Sequence, residues 1–135
     1  MALQHEIFNF LTGFPTVNAI VGKRIYPLVI TQGTSTPAVA WRTVRIFGEP
    51  ELDDARETIV TLELTTWGKT YVEADDSARV IQQAIDGFVA ASGGDLTIGD
   101  TAPQSILLQR EEDVYDEDLA LCGRQQFWEF QGMNL

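Results

Sequence analysis

The apolar positions of this chain follow two periods, and the period changes along its length. Leu3, Ile7, Phe10 and Leu11 recur at helical spacing, with Gln4 and Glu6 on the polar side. They predict a helix over about 2–11, ended by Gly13 and Pro15. A short turn over 17–21 leads to Gly22. The clearest helical pattern runs over 70–91, where Ala74, Ala78, Ile81, Ile85 and Phe88 form a continuous apolar stripe. Thr70 and Glu73 have the spacing of a capping box, and Asp75 and Arg79 are placed for an exposed pair one turn apart. Ser92-Gly93-Gly94 stops that helix.

Elsewhere the residues are β-branched and aromatic, and the spacing suits strands. Residues 24–30 form a first extended segment, interrupted by Pro27, which suits an edge strand because proline cannot donate to a ladder. A polar, breaker-rich loop covers 31–36. Strands are then predicted over 38–47 and 58–67, and over 105–114 and 119–130 after a loop at 95–104. The last two are close enough to pair antiparallel around Asp116. Alternation is imperfect. Cys122, Trp128 and Phe130 share one parity, while Leu121 and Phe127 share the other; residues 39–47 behave likewise. A sheet covered on one face alternates more cleanly. The second face is therefore expected to be covered, either by a neighbouring subunit or by the helices and long loops. The fold class is α+β: one domain over 1–135, an antiparallel sheet with two main helices, in the order α-β-β-β-α-β-β.

Composition narrows the functional classes. A chain of 135 residues is long enough to bury a core without disulfides. Cys122 is the sole cysteine, and no secretory leader or membrane-length apolar run is present, so a soluble protein made in a reducing compartment is expected. The formal charge of −11 disfavours general nucleic-acid binding, which needs a basic surface. It suits either a self-repelling soluble surface or a surface that DNA passes without adhering. The acids gather in two places: Glu49, Glu51, Asp53, Asp54 and Glu57, and then Glu111 to Asp113 with Asp116 to Asp118. Solvated loops or exposed strand ends are the default reading of such clusters. Neither has the alternating acids, sharp-turn glycine and closing glutamate of a calcium loop.

Little in the chain suggests catalysis. His5 is the only histidine, too few for a triad or a metal centre of the usual kind. Cys122 lies among apolar strand residues and reads as a buried structural thiol. Gly93-Gly94 and Gly99 lack the lysine and hydroxyl ending of a phosphate loop. With 20 acids, carboxylate pairs arise without meaning. Trp41, Trp67 and Trp128 lack interleaved basic residues, so packing is favoured over base stacking. The expectation is a non-enzyme with no cofactor and no metal.

Several segments, in order, carry a resemblance. Gly22-Lys23-Arg24-Ile25-Tyr26-Pro27 is followed by Thr36-Pro37-Ala38-Val39, by residues 58–67, by Tyr71-x-Glu73-Ala74-Asp75, and by Asp113-Val114-Tyr115-Asp116 with Gln126-Phe127-Trp128. This set resembles the tail-completion, or tail terminator, proteins of long non-contractile-tailed phages. It departs from them at Ala38, where a tyrosine or phenylalanine often stands, and in the charge of the loop over 49–57. The resemblance implies a structural virion protein at the head-proximal end of the tail, assembled in the host cytoplasm. It implies a hexameric ring that caps the tail tube, stops its polymerisation and joins the head, with DNA passing through a lumen without specific binding. Its partners are then further copies of itself, the tail tube protein and a head-completion protein, with no membrane. On that footing Glu49, Glu51, Asp53, Asp54 and Glu57 are candidate lumen residues. Lys23, Arg24 and Tyr26 are candidates to meet Glu111, Glu112, Asp113 and Asp116 of a neighbouring copy. The alternatives are another neck protein such as a head-closure or connector component, a small dimeric ligand-binding module, or an enzyme working with carboxylates alone.

Overall fold

Pro15, expected from the sequence to mark the end of the first helix, also begins a second one. The computed structural model describes residues 3–30, 33–49, 57–92 and 105–133, with side chains placed over 6–30, 33–43, 60–91 and 105–131. Helix α1 spans Leu3–Thr12 and α2 spans Pro15–Val21. Pro15 stands in the first helical turn, where a missing N–H costs nothing because that donor has no partner inside the helix. Gly22 closes α2 at φ +56°, its N–H donating to the Asn18 carbonyl at 2.9 Å.

Strand β1 is only Ile25–Pro27. The expected run to Ile30 is cut short at Leu28, which turns to φ +71° and leads the chain off the ladder. Strands β2 (Ala38–Glu49) and β3 (Glu57–Gly68) form a long antiparallel hairpin, paired from Ala38↔Trp67 to Glu49↔Glu57. Helix α3 (Tyr71–Ser92) then crosses to β4 (Ser105–Asp116), which pairs antiparallel with β5 (Leu121–Met133). The five-stranded sheet has the order β1-β2-β3-β5-β4. One pairing departs from the all-antiparallel expectation: β1 runs parallel to β2. By Ala38 the chain is back at the end of the sheet from which β1 starts, so β2 sets out in the same direction.

Among the described residues, three helices cover one face of the sheet. Ile7 and Leu11 of α1, Val17 and Val21 of α2 and Ile81 and Ile85 of α3 share one buried cluster with Val39, Trp41, Leu62, Leu64, Trp128 and Phe130. Phe10, Phe14 and Phe88 meet edge to face at its margin, with centroids 5.0–6.2 Å apart. The expected stripe of α3 is buried at Ala74, Ala78, Ile81 and Ile85. Its cap forms with a shift of one residue: Glu73 N–H donates to Thr70 Oγ1, while Glu73 Oε1 accepts from Lys69 N–H.

The other face carries a second, smaller cluster that includes no helix residue. Ile30, Ala38 and Ala40 are buried there, with Tyr26, Trp67, Leu119 and Leu121 packed against them. This explains the mixed parities. The second face is covered in part by the chain's own segment after β1 and by the β4–β5 turn, while the helices stay on the first face.

Candidate interaction surface

Between those two coverings the helix-free face is left as an open trough of about 440 Å³. One wall is the segment Leu28–Ile30, held to the sheet by the Leu28 N–H donating to the Trp41 carbonyl at 2.7 Å. The small side chains of Ala38 and Ala40 leave room beneath it for Ile30. Leu28 and Val29 instead face solvent, 68% and 70% exposed. Trp67, Val114 and Leu119 continue the apolar lining. Gly123 makes the close packing of Trp67 possible: a Cβ there would lie 2.7 Å from Val114 Cγ2 and 2.9 Å from the Trp67 ring.

Polar groups lie on the floor and far wall of the trough. Glu63 is buried, and both of its oxygens are engaged, by Arg42 Nε at 2.7 Å and by Gln125 Nε2 at 2.6 Å. The carboxylate thus has a cation on one oxygen and an amide hydrogen bond on the other, as burial demands. Asp116 and Asp118 form an acidic wall beside Leu119. Asp116 Oδ1 also accepts the Leu119 N–H at 2.9 Å and so fixes the turn that builds this wall.

The sequence-predicted candidates fall into three groups. Arg24 is engaged inside the chain. Its guanidinium donates to the Ile20 and Pro37 carbonyls at 2.9 and 3.0 Å, tying the end of α2 to the segment before β2. Glu111 and Asp113 lie in β4 on the helix-covered face, where Arg124 bonds both, at 2.8 and 2.7 Å. Arg79 reaches Glu111 from α3 at 3.1 Å and Asp75 at 3.6 Å, so the expected Asp75–Arg79 pair is one edge of a larger network. Gln126 donates to Glu111 at 2.9 Å and accepts from Trp128 Nε1 at 3.3 Å. Burial alone would raise the Glu111 pKa, but the hydrogen bonds from Gln126, Arg124 and Arg79 outweigh it and hold the carboxyl below its usual range. The Asp113 and Glu111 carboxylates raise the Arg124 pKa against the effect of its burial.

A second group remains at the surface. Lys23 is exposed, Tyr26 is half-buried against the helix-free cluster, and exposed Glu112 pairs with Arg110 at 3.5 Å. Arg110 lies over the Phe127 ring, 4.2 Å from its centroid. The third group is the acidic loop. Glu49 and Glu57 are the last backbone pair of the β2–β3 hairpin, while Glu51, Asp53 and Asp54 lie outside the described residues, as do Gly93, Gly94 and Gly99. Cys122, expected to be buried, is half-buried.

Sequence reasoning missed Leu28 and Val29 as surface residues. The available signal was an apolar run directly after the proline that stops a strand, where a polar turn is the norm. Among the described residues no group of three or more His, Cys, Asp or Glu side chains is placed to hold a metal ion, and no helix is long and apolar enough to cross a membrane.

No protein-family model and no curated protein matches this chain. Among solved structures, the fold is similar to that of a chain in one described as "Virion of native gene transfer agent (GTA) particle". The TM-score is 0.76 at 14% identity, covering 98% of this chain and 96% of the other. What the two share at that identity is the fold.

Proposed function

We propose that this protein is a structural subunit of a phage-like particle, and within it the tail terminator: a ring subunit that caps the tail tube and joins it to the head. The observation that carries the reading is the likeness of fold along nearly the whole of both chains to a protein of a gene transfer agent virion. The ordered motifs from Gly22-Lys23-Arg24 to Gln126-Phe127-Trp128 support the finer role. The trough also suits a protein surface better than a ligand pocket. Its buried carboxylate already has partners on both oxygens, whereas a small-molecule site needs polar groups left to converge on the ligand.

In this role the mechanism is geometric. A contact between two different patches, repeated around an axis, closes a ring, here a hexamer. One ring surface meets the tail tube protein and the other a head-completion protein. The acidic loop of Glu49, Glu51, Asp53, Asp54 and Glu57 faces the lumen and keeps the duplex from adhering by repelling its phosphates. Light scattering on the separated protein with negative-stain imaging tests the reading: rings with a central channel are expected, and a monomer at every concentration would overturn it. Changing the five loop acids to lysine should leave rings intact and block genome passage. Normal infectivity with that loop would remove it from the lumen.

A further inference from the structure

Both outer strands of the sheet are poor templates for another strand. β1 is three residues long and ends in Pro27, with Leu28 turned to φ +71°. β4 carries Arg110, Glu111, Glu112 and Asp113 in succession, beside a register shift between Leu108 and Arg110. Copies of this chain must then meet through side chains, and the exposed apolar side chains are unevenly placed. Among the described residues, Leu28, Val29, Tyr71, Val72 and Tyr115 lie toward the end of the sheet where β3 and β4 finish, and Leu107 alone lies toward the other.

We propose that in the ring the first turn of α3 of one copy seats in the trough of the next. This rests on the ring reading above and names the contact that builds it. Tyr71 and Val72 are 50% and 63% exposed, off the stripe that α3 buries, and exposed Lys69 precedes them. They supply an apolar projection with a cation beside it. The trough supplies the complement: exposed Leu28 and Val29 on one wall, Asp116 and Asp118 on the other. Seating Val72 and Tyr71 against Leu28 and Val29 brings Lys69 to the acidic wall. The start of α3 lies on the outer side of the Leu119 turn, whose other side walls the trough, so projection and trough are unlike patches of one subunit. Such a contact runs head to tail and closes by rotation. A twofold contact of trough on trough would instead set two acidic walls in one interface and leave Tyr71 and Val72 in water.

Mixing variants of the full chain tests the pairing. Val72→Asp removes the projection, and Leu28→Asp removes one wall at a position whose positive φ aspartate tolerates well. Circular dichroism and thermal melting of each variant should match the wild type, since both side chains face solvent. By light scattering each variant alone should be a monomer at concentrations where the wild type forms rings. An equimolar mixture should form 1:1 dimers and stop there, because one intact projection meets one intact trough. Rings from Val72→Asp alone, or a mixture that stays monomeric, would overturn this contact and leave the ring reading standing. A wild type that never assembles would overturn both.

Discussion

On the helix-covered face, Arg124 lies between Glu111 and Asp113 with α3 packed above it; on the other face Glu63 lies between Arg42 and Gln125 with no helix above it. Both carboxylates are largely shielded from water and both are partnered. They differ in what surrounds the pair. The Glu111 network ties the helix layer to the sheet, linking α3 with β4 and β5, while the Glu63 group lies within the sheet and links β2, β3 and β5, which are already paired by their backbones. The first set holds the subunit together, and the second makes an open face tolerable. Charge in this chain thus divides between folding and surface according to which layer of the sheet it occupies.

Breaking the covered face should cost most. Trp128 is fully buried at its centre, and Trp128→Ala should lower stability by about 3–5 kcal/mol in a urea titration. Removing the hub of the ionic network comes next. Arg124→Gln leaves half-exposed Asp113 without its partner and Glu111 with Arg79 and Gln126 alone, and a loss of about 2 kcal/mol is expected, the scale of hydrogen bonds to charged groups. The same network gives a pH signature. Glu111 has its folded pKa below the ordinary value of 4.5, so its contribution is complete above that pH and fades as pH falls through the folded value. The gap between the melting curves of wild type and Glu111→Gln should therefore begin to close as pH falls below about 4.5 and be lost below the folded value, and a constant gap would remove Glu111 from the network's energetics.

The open face should be more forgiving. Gly123→Ala pushes Trp67 and Val114 apart and should cost about 1–3 kcal/mol, with a change in tryptophan fluorescence. Leu28→Asp should shift stability by less than about 0.5 kcal/mol and, if the proposed ring contact holds, abolish assembly. If it unfolds the subunit instead, the division between the two faces is wrong.

Much of the covered face was legible in the sequence because its signals are local. The stripe Ala74, Ala78, Ile81, Ile85 and the Thr70–Glu73 cap each fall within one helix, and both strand pairs are close in the chain. The network was not legible, because Arg79 and Glu111 are 32 residues apart and nothing in the order of the acids distinguishes a helix-facing carboxylate from a solvated one. Arg24 misled for a similar reason. Its neighbours in sequence suggest a surface cation, but the unsatisfied carbonyls at the end of α2 lie within its reach. The parallel pairing of β1 depends on where the chain re-enters the sheet at Ala38, which Pro27 does not direct.

A protein that waits in quantity for its partners runs the risk of finding itself first, in the wrong way. Long unguarded strand margins turn such waiting into fibre growth, a process with no natural end. Here one margin stops after three residues at Pro27 and the other is crowded with charge, so neither offers such growth a template. The brevity of β1 is thus a guard against open-ended growth by strand addition.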